Sequence, residues 1–362
     1  MSRRRTLSIV VSLAVAGIGV SAPTATATTT ATTASDQPQV VQLGDSYSAG
    51  NGAGSYEETL CWRSPANYGA RVAEQIGATY DNVACSGGVV ADLLTPRQLG
   101  TPTLRTATYP VPGKAPNAEH HWQRQARQND LCGVPAQDDW SYATTITSSV
   151  VNGTGRDRTI TATARCQLTA APQIDAVTPE TDAVFVTIGG NDIGFSGIVI
   201  QCMVLRSPAG CEGAIDTANA KVPALKADTK AALAAVHERS AGNADVYLLG
   251  YPFLLNTDSY GIPEATPTYD FGAALADLQL TGDAAQSAAM AELDAATGDF
   301  TFVDVKPAWG GHAHGLDPHT VPDNSAAWLV PVLAPGTQLP EWVHPTGDGY
   351  AASASALLAA MN

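Results

Sequence analysis

Val40-Val41-Gln42-Leu43-Gly44-Asp45-Ser46-Tyr47-Ser48-Ala49-Gly50 is the stretch on which the reading of this chain turns. A short apolar run stops at Gly44 and delivers an aspartate and a serine into a loop rich in Gly, Ser and Asn. A residue just past the carboxyl end of a buried strand in an α/β sheet sits in the crevice where such folds bind ligands. Ser46 is therefore the leading candidate nucleophile. A strand followed by an ordinary Gly-Asp-Ser turn would look the same. The assignment depends on whether the rest of the chain supplies the other groups that serine chemistry needs.

Downstream, Thr79 to Cys85, Asp182 to Ile188, Asp245 to Gly250 and Phe300 to Val305 read as further strands. Helical spacing covers Ala66 to Ile76 with Gly77 as its cap, starts again at Val89 to Leu94, and returns at Val222 to Arg239. Phe271 to Ala296 reads as a helical stretch broken near Gly282, and Gly347 to Met361 closes the chain as a helix. This alternation predicts an α/β fold: three layers, α/β/α, around a central parallel, doubly wound (flavodoxin-like) sheet. From about residue 96 to 170 the composition shifts to Pro, Thr, Gln and Asn. Two β-branched runs there, Thr144 to Val151 and Thr159 to Ala164, flank Asn152-Gly153-Thr154-Gly155, a hairpin signal. The parallel sheet does not need this segment. It reads as an inserted, β-hairpin-containing piece, either a lid or wall facing the substrate or a subdomain remote from it.

The chain has 362 residues, 44% hydrophobic and 15% charged, enough to bury a full core. Arg3, Arg4 and Arg5 head an apolar run from Leu7 to Val20 that ends near Ala25-Thr26-Ala27, so residues 1–27 read as a secretory signal peptide. Residues 28–37 read as a disordered Thr/Ala-rich leader, and 38–362 as the folded domain. The paired arginines leave twin-arginine export open. No other stretch approaches the length of a membrane span, so stable membrane insertion is not expected. Removing the first 35 residues, which hold three arginines and no acids, takes the formal net charge from -15 to -18. That balance argues against nucleic acid or an anionic membrane as an electrostatic partner.

Gly44-Asp45-Ser46-Tyr47, then Cys85-Ser86-Gly87-Gly88, then Gly189-Gly190-Asn191-Asp192, then His344-Pro345 follow one another along the chain. This ordered set resembles the four blocks of the SGNH (GDSL-type) hydrolases, and more narrowly the secreted actinobacterial lipases and esterases of that superfamily. The resemblance runs from about residue 38 to the end, apart from the insertion. It implies a secreted serine hydrolase that cleaves carboxylic esters, with Ser46 as nucleophile and His344 as its base. The oxyanion hole would comprise the Ser46 N–H, the Gly87 N–H and the Asn191 side-chain amide, with a shift of one residue to Gly88 possible in principle. The family often carries Asp three residues before its histidine. Here that position is Glu341, whose extra methylene can overshoot the ring, and some relatives use a backbone carbonyl instead; both readings stand open. Asp45 and Asp192 read as acceptors that brace loops.

Six cysteines allow fifteen pairings, but they fall into consecutive couples. The resembling family pairs its cysteines in this order, implying disulfides Cys61 with Cys85, Cys132 with Cys166 and Cys202 with Cys211. No Cys-x-x-Cys pair points to structural zinc. The expected partner is a small-molecule or lipid ester, met by a monomer with no cofactor and no metal. Ile193, Phe195 and Ile198 suit an acyl chain or the core equally.

Three rivals remain. Ala84-Cys85-Ser86-Gly87-Gly88 is a near miss to a Gly-x-Ser-x-Gly nucleophile elbow, with Ser86 attacking and Asp304 as the acid. Trp309-Gly310-Gly311-His312-Ala313-His314, with His319, could ligate a metal or line a substrate rim. A catalytically silent lipid- or glycan-binding relative would keep the same blocks.

Overall fold

Five short parallel strands, buried on both faces at their centre, make the sheet that carries the site. The computed structural model describes residues 37–113, 116–262 and 269–362. β1 (Gln39–Gly44) leads into the single-turn helix α1 (Ser46–Ala49), then α2 (Tyr68–Ile76) and β2 (Thr79–Asn82). An inserted unit follows: β3 (Arg97–Pro110), α3 (Ala118–Gln128), β4 (Trp140–Asn152) and β5 (Thr159–Ala170). The main sheet resumes with β6 (Ala183–Thr187), succeeded by α4 (Phe195–Ile198), a π-helical segment to Val204, and α5 (Pro208–Arg239). β7 (Asp245–Leu249) precedes a small ribbon, β8 (Gly261–Ile262) with β9 (Tyr269–Asp270), and then come α6 (Phe271–Thr297), β10 (Phe300–Val303) and α7 (Gly347–Ala360).

The sheet order is β10-β7-β6-β1-β2, every pair parallel. Counted along the chain within this sheet, the order is 2-1-3-4-5, the flavodoxin-like arrangement whose winding reverses between its first and third strands. Side chains alternate across it. Val41, Leu43, Val184, Val186, Val246 and Leu248 pack with α5 and α6, whereas Val40, Phe185 and Tyr247 pack with the side that carries Tyr68 of α2 and Tyr350 of α7. The reversal between β1 and β6 opens a crevice at their carboxyl ends. Gly44 (φ 120°) turns the chain into it beside Thr187, where a Cβ would fall 2.1 Å from the Thr187 carbonyl oxygen.

The insertion holds more order than its sequence suggested. β3, β5 and β4 form an antiparallel sheet, and α3 covers one face by burying Trp122 against Ile160, Ala162 and Ala164. The sequence signal reported only the β4–β5 hairpin. β3 carries Gly100 and Pro102 and shifts register between Leu99 and Thr103, which hides its pattern. β2 ends at Asn82 rather than Cys85, where the Asn82 side chain accepts a hydrogen bond from the Ala84 N–H and turns the backbone. Val90–Leu93 is a single 3-10 turn. α5 begins well before Val222, at Pro208, with Ser207 accepting from the Gly210 N–H as its cap. α6 runs through Gly282 unbroken.

The three disulfides pair as implied: Cys61–Cys85, Cys132–Cys166 and Cys202–Cys211. Among the described residues no helix is long and apolar enough to cross a membrane. The expected signal peptide, and all but the last residue of the expected leader, lie outside the described residues.

Candidate active site

Ser46 is the first residue of α1, directly beyond the end of β1. Asp45 caps that helix. One carboxylate oxygen accepts from the Tyr47 N–H (3.0 Å) and the Thr187 hydroxyl (2.7 Å), and the other accepts from the Tyr251 hydroxyl. Burial pushes the Asp45 carboxyl up to about 6, with these donors pulling the other way. Asp45 thus ties α1 to the ends of β6 and β7, while the Ser46 side chain stays free of that network.

The Ser46 hydroxyl instead meets His344: Oγ lies 2.6 Å from Nε2, across 298 residues of sequence. The other ring nitrogen, Nδ1, lies 2.8 Å from the Trp342 carbonyl oxygen. A carbonyl can only accept, so Nδ1 carries the proton and Nε2 presents its lone pair to the serine. Burial lowers the His344 pKa to about 4, so the ring is neutral at neutral pH. A hydroxyl bonded to a neutral imidazole in this tautomer can give up its proton as it attacks an electrophile.

What aims the imidazole is the backbone at Val343. Its φ is 63°, a left-handed conformation rare for a β-branched residue and costing about 1–3 kcal/mol. The residue is held there from both sides. Its N–H donates to the Val330 carbonyl (2.8 Å), and its own carbonyl accepts from the Tyr47 hydroxyl (2.6 Å). Tyr47, next to Ser46, therefore fastens the histidine loop to the serine loop.

Glu341 stands elsewhere than the triad pattern expects. Its carboxylate accepts from the Tyr56 hydroxyl (2.7 Å) and from the Gln338 N–H (2.7 Å), bracing a loop rather than meeting the His344 ring. The preceding turn directs the side chain away, and the carbonyl of Trp342 occupies the place at Nδ1. Of the two readings the sequence left open, the geometry matches the backbone carbonyl.

Gly87 and Asn191 reach the same crevice from β2 and β6. The Cys61–Cys85 disulfide anchors the glycine loop, and Gly87 adopts φ 75°. Gly88 packs on the serine loop, since a Cβ there would lie 2.8 Å from the Gly44 carbonyl oxygen. Its N–H donates to Cys85 O (2.8 Å), so of the two glycines it is Gly87 whose N–H is left over. Asn191 Nδ2 donates to Gly88 O (2.8 Å), which uses one of its two N–H groups. Asp192 accepts from the Val90 N–H (3.1 and 3.2 Å to its two oxygens), locking the β6 loop to the glycine loop.

The rivals are not assembled in the same way. Ser86 Oγ accepts from the Asn51 amide at 2.9 Å, and Asp304, half exposed, accepts from the Lys306 N–H. In the His-rich loop His312 stacks on Phe253 and His314 on Trp328, while His319 pairs with Asp317, so each ring has its own separate partner. Sequence reasoning held a backbone carbonyl open without naming that of Trp342, and it missed the parts played by Val343, Tyr47, Tyr251 and Asn51. Most of these act through backbone atoms or long-range hydroxyl bonds, which leave no motif.

Beside Ser46 lies a cavity of about 70 Å³ with mostly apolar walls, among them Ile193, Phe195, Ile198, Leu225 and Leu278. It has room for more than a single water. These three expected residues, Ile193, Phe195 and Ile198, thus line a cavity as well as touching the core.

This arrangement, a serine and a neutral histidine at the switch point of a flavodoxin-like sheet, is the setting for hydrolase chemistry. The profile of the GDSL-like lipase/acylhydrolase family matches residues 106–352, and the chain belongs to that family. It is a carboxylic ester hydrolase. A lipase of Streptomyces rimosus is 25% identical over 320 residues, covering 85% of this chain and 81% of the relative. Two solved structures share the fold. Phospholipase A1 from Streptomyces albidoflavus NA297 has TM-score 0.57 and 22% identity, with 90% of this chain and 99% of that one covered. The extracellular lipase of Streptomyces rimosus has TM-score 0.54 and 23% identity, covering 89% and 99%.

Proposed function

We propose that this chain is a secreted serine hydrolase that cleaves lipid esters through an acyl-enzyme on Ser46. Ser46 Oγ attacks the acyl carbonyl while His344 Nε2 takes its proton. The imidazolium keeps its Nδ1–H on the Trp342 carbonyl and passes the Nε2 proton to the departing alkoxide, leaving the acyl group on Ser46. Water, deprotonated by the same nitrogen, then attacks; the carboxylic acid leaves and Ser46 regains its proton. The Ser46 N–H, the Gly87 N–H and the second N–H of Asn191 receive the charge that develops on the carbonyl oxygen. In this reading Trp342, not Glu341, orients the imidazole.

The 2.6 Å contact between Ser46 Oγ and His344 Nε2 carries the reading. The apolar cavity next to Ser46 and the lipase relative support a lipid acyl group. The leader pattern and three disulfides support export to an oxidising compartment. Turnover of a p-nitrophenyl ester by wild type, Ser46→Ala and Ser86→Ala tests it. Ser46→Ala should abolish turnover; abolition by Ser86→Ala alone would hand the role to the elbow reading.

A further inference from the structure

A glycine in the middle of a long helix is normally a cost, because it adds backbone freedom to the unfolded chain and packs nothing. α6 nonetheless continues through Gly282. Other glycines have visible reasons: on Gly272, also in α6, a Cβ would strike the Tyr260 backbone nitrogen at 2.5 Å. Gly282 has none of this kind. Its φ is not positive, and a Cβ there would meet no heavy atom within 4 Å.

Its position on the helix is informative. Leu275, Leu278, Gln279, Gly282, Asp283 and Gln286 recur at helical spacing, and all six line the cavity beside Ser46. The polar members of this stripe are engaged with the protein itself. Gln279 donates to Pro252 O, Asp283 pairs with Lys306, and Gln286 donates to Ile188 O. Gly282 is the member with no side chain, and the protein puts nothing in the space it leaves.

We infer that Gly282 is a specificity-determining residue: the room above it accepts part of a substrate acyl chain, so this position sets the acyl length that the site takes. This rests on the reading of Ser46 as the acylated residue. A side chain at 282 would project into that room and shorten the longest chain the cavity takes, leaving the groups at Ser46 and His344 in place.

The test is kcat/KM for p-nitrophenyl acetate, octanoate and dodecanoate with wild type, Gly282→Ala, Gly282→Leu and Ser46→Ala. In Gly282→Leu the dodecanoate-to-acetate ratio should fall about tenfold or more, the scale on which a filled pocket discriminates by chain length. Gly282→Ala should shift it the same way by less. Both replacements are better helix formers than glycine, so thermal unfolding should come at the same temperature or higher. Should Gly282→Leu fail to fold, the alanine variant decides. An unchanged or raised ratio in the folded variants overturns the inference. If Ser46→Ala is inactive while the ratio does not move, only the role of Gly282 falls. If Ser46→Ala still turns over, the underlying reading falls with it.

Discussion

His344 Nδ1 lies 2.8 Å from the carbonyl oxygen of Trp342, two residues before it in the chain, while Glu341 turns to Tyr56 and Gln338. The imidazole is thus oriented by a backbone dipole that cannot take up a proton and carries no full charge.

Glu341→Gln is therefore expected to lower kcat on a soluble ester by less than about tenfold, against the roughly 10⁴-fold loss seen when a true triad acid loses its charge. The amide oxygen can still accept from Tyr56. A loss of several orders of magnitude in steady-state kinetics would restore Glu341 to the role the spacing suggested.

The pH profile should carry the mark of burial. With the His344 pKa near 4, the acid limb of kcat/KM is expected close to pH 4 rather than 6.5. The same shift has a sign for stability. Between 6.5 and about 4 the unfolded imidazole binds a proton that the folded one refuses, so this contribution is intact above 6.5 and lost as pH falls toward 4. Asp45 acts oppositely, its carboxyl raised from 3.8 to about 6, so its contribution is present at low pH and lost as pH rises through that window. His344→Gln should accordingly show a smaller drop in Tm between pH 7 and pH 4 than wild type. An equal drop would mean that the imidazole is not the group responsible.

In the proposed mechanism Asn191→Ala removes a donor to the developing oxyanion, so it should reduce kcat by about 10²–10³-fold with little change in KM. Equal losses in binding and turnover would point instead to a purely architectural part, through its bond to Gly88 O.

Asn51 is fully buried and bridges two loops, its Nδ2 donating to Ser86 Oγ (2.9 Å) and to Pro340 O (2.6 Å). It thereby sets the glycine loop against the histidine loop. Asn51→Ala should lower kcat by up to about 10²-fold through small misplacements, with KM less affected. Asn51→Asp should not rescue it, because a carboxylate cannot donate to a carbonyl. Recovery in the Asp variant would contradict the bridging role.

What could be read from the residues alone was whatever depends on side-chain identity at a strand end. Gly44, Asp45 and Ser46 announce themselves because the apolar run stops there, and Gly189-Gly190-Asn191 does so after β6. The strand–helix alternation likewise carried the parallel sheet. A backbone carbonyl at His344 was one of two readings the residues left open, but which carbonyl could not be read, because every residue has one; its placement depends on the φ of 63° at Val343, imposed by Val330 and Tyr47 from distant parts of the chain. Gly282 looked like a helix breaker because intrinsic propensity was the only term visible, and tertiary packing along α6 overrode it. β3 was hidden by Gly100 and Pro102, whose irregularity the pairing with β5 absorbs in a shift of register.

Mass spectrometry of the protein after reaction with a fluorophosphonate tests the central pairing most directly. The adduct should sit on the peptide that contains Ser46 and disappear in Ser46→Ala. An adduct on Ser86, or none on wild-type protein that is demonstrably folded, would contradict it.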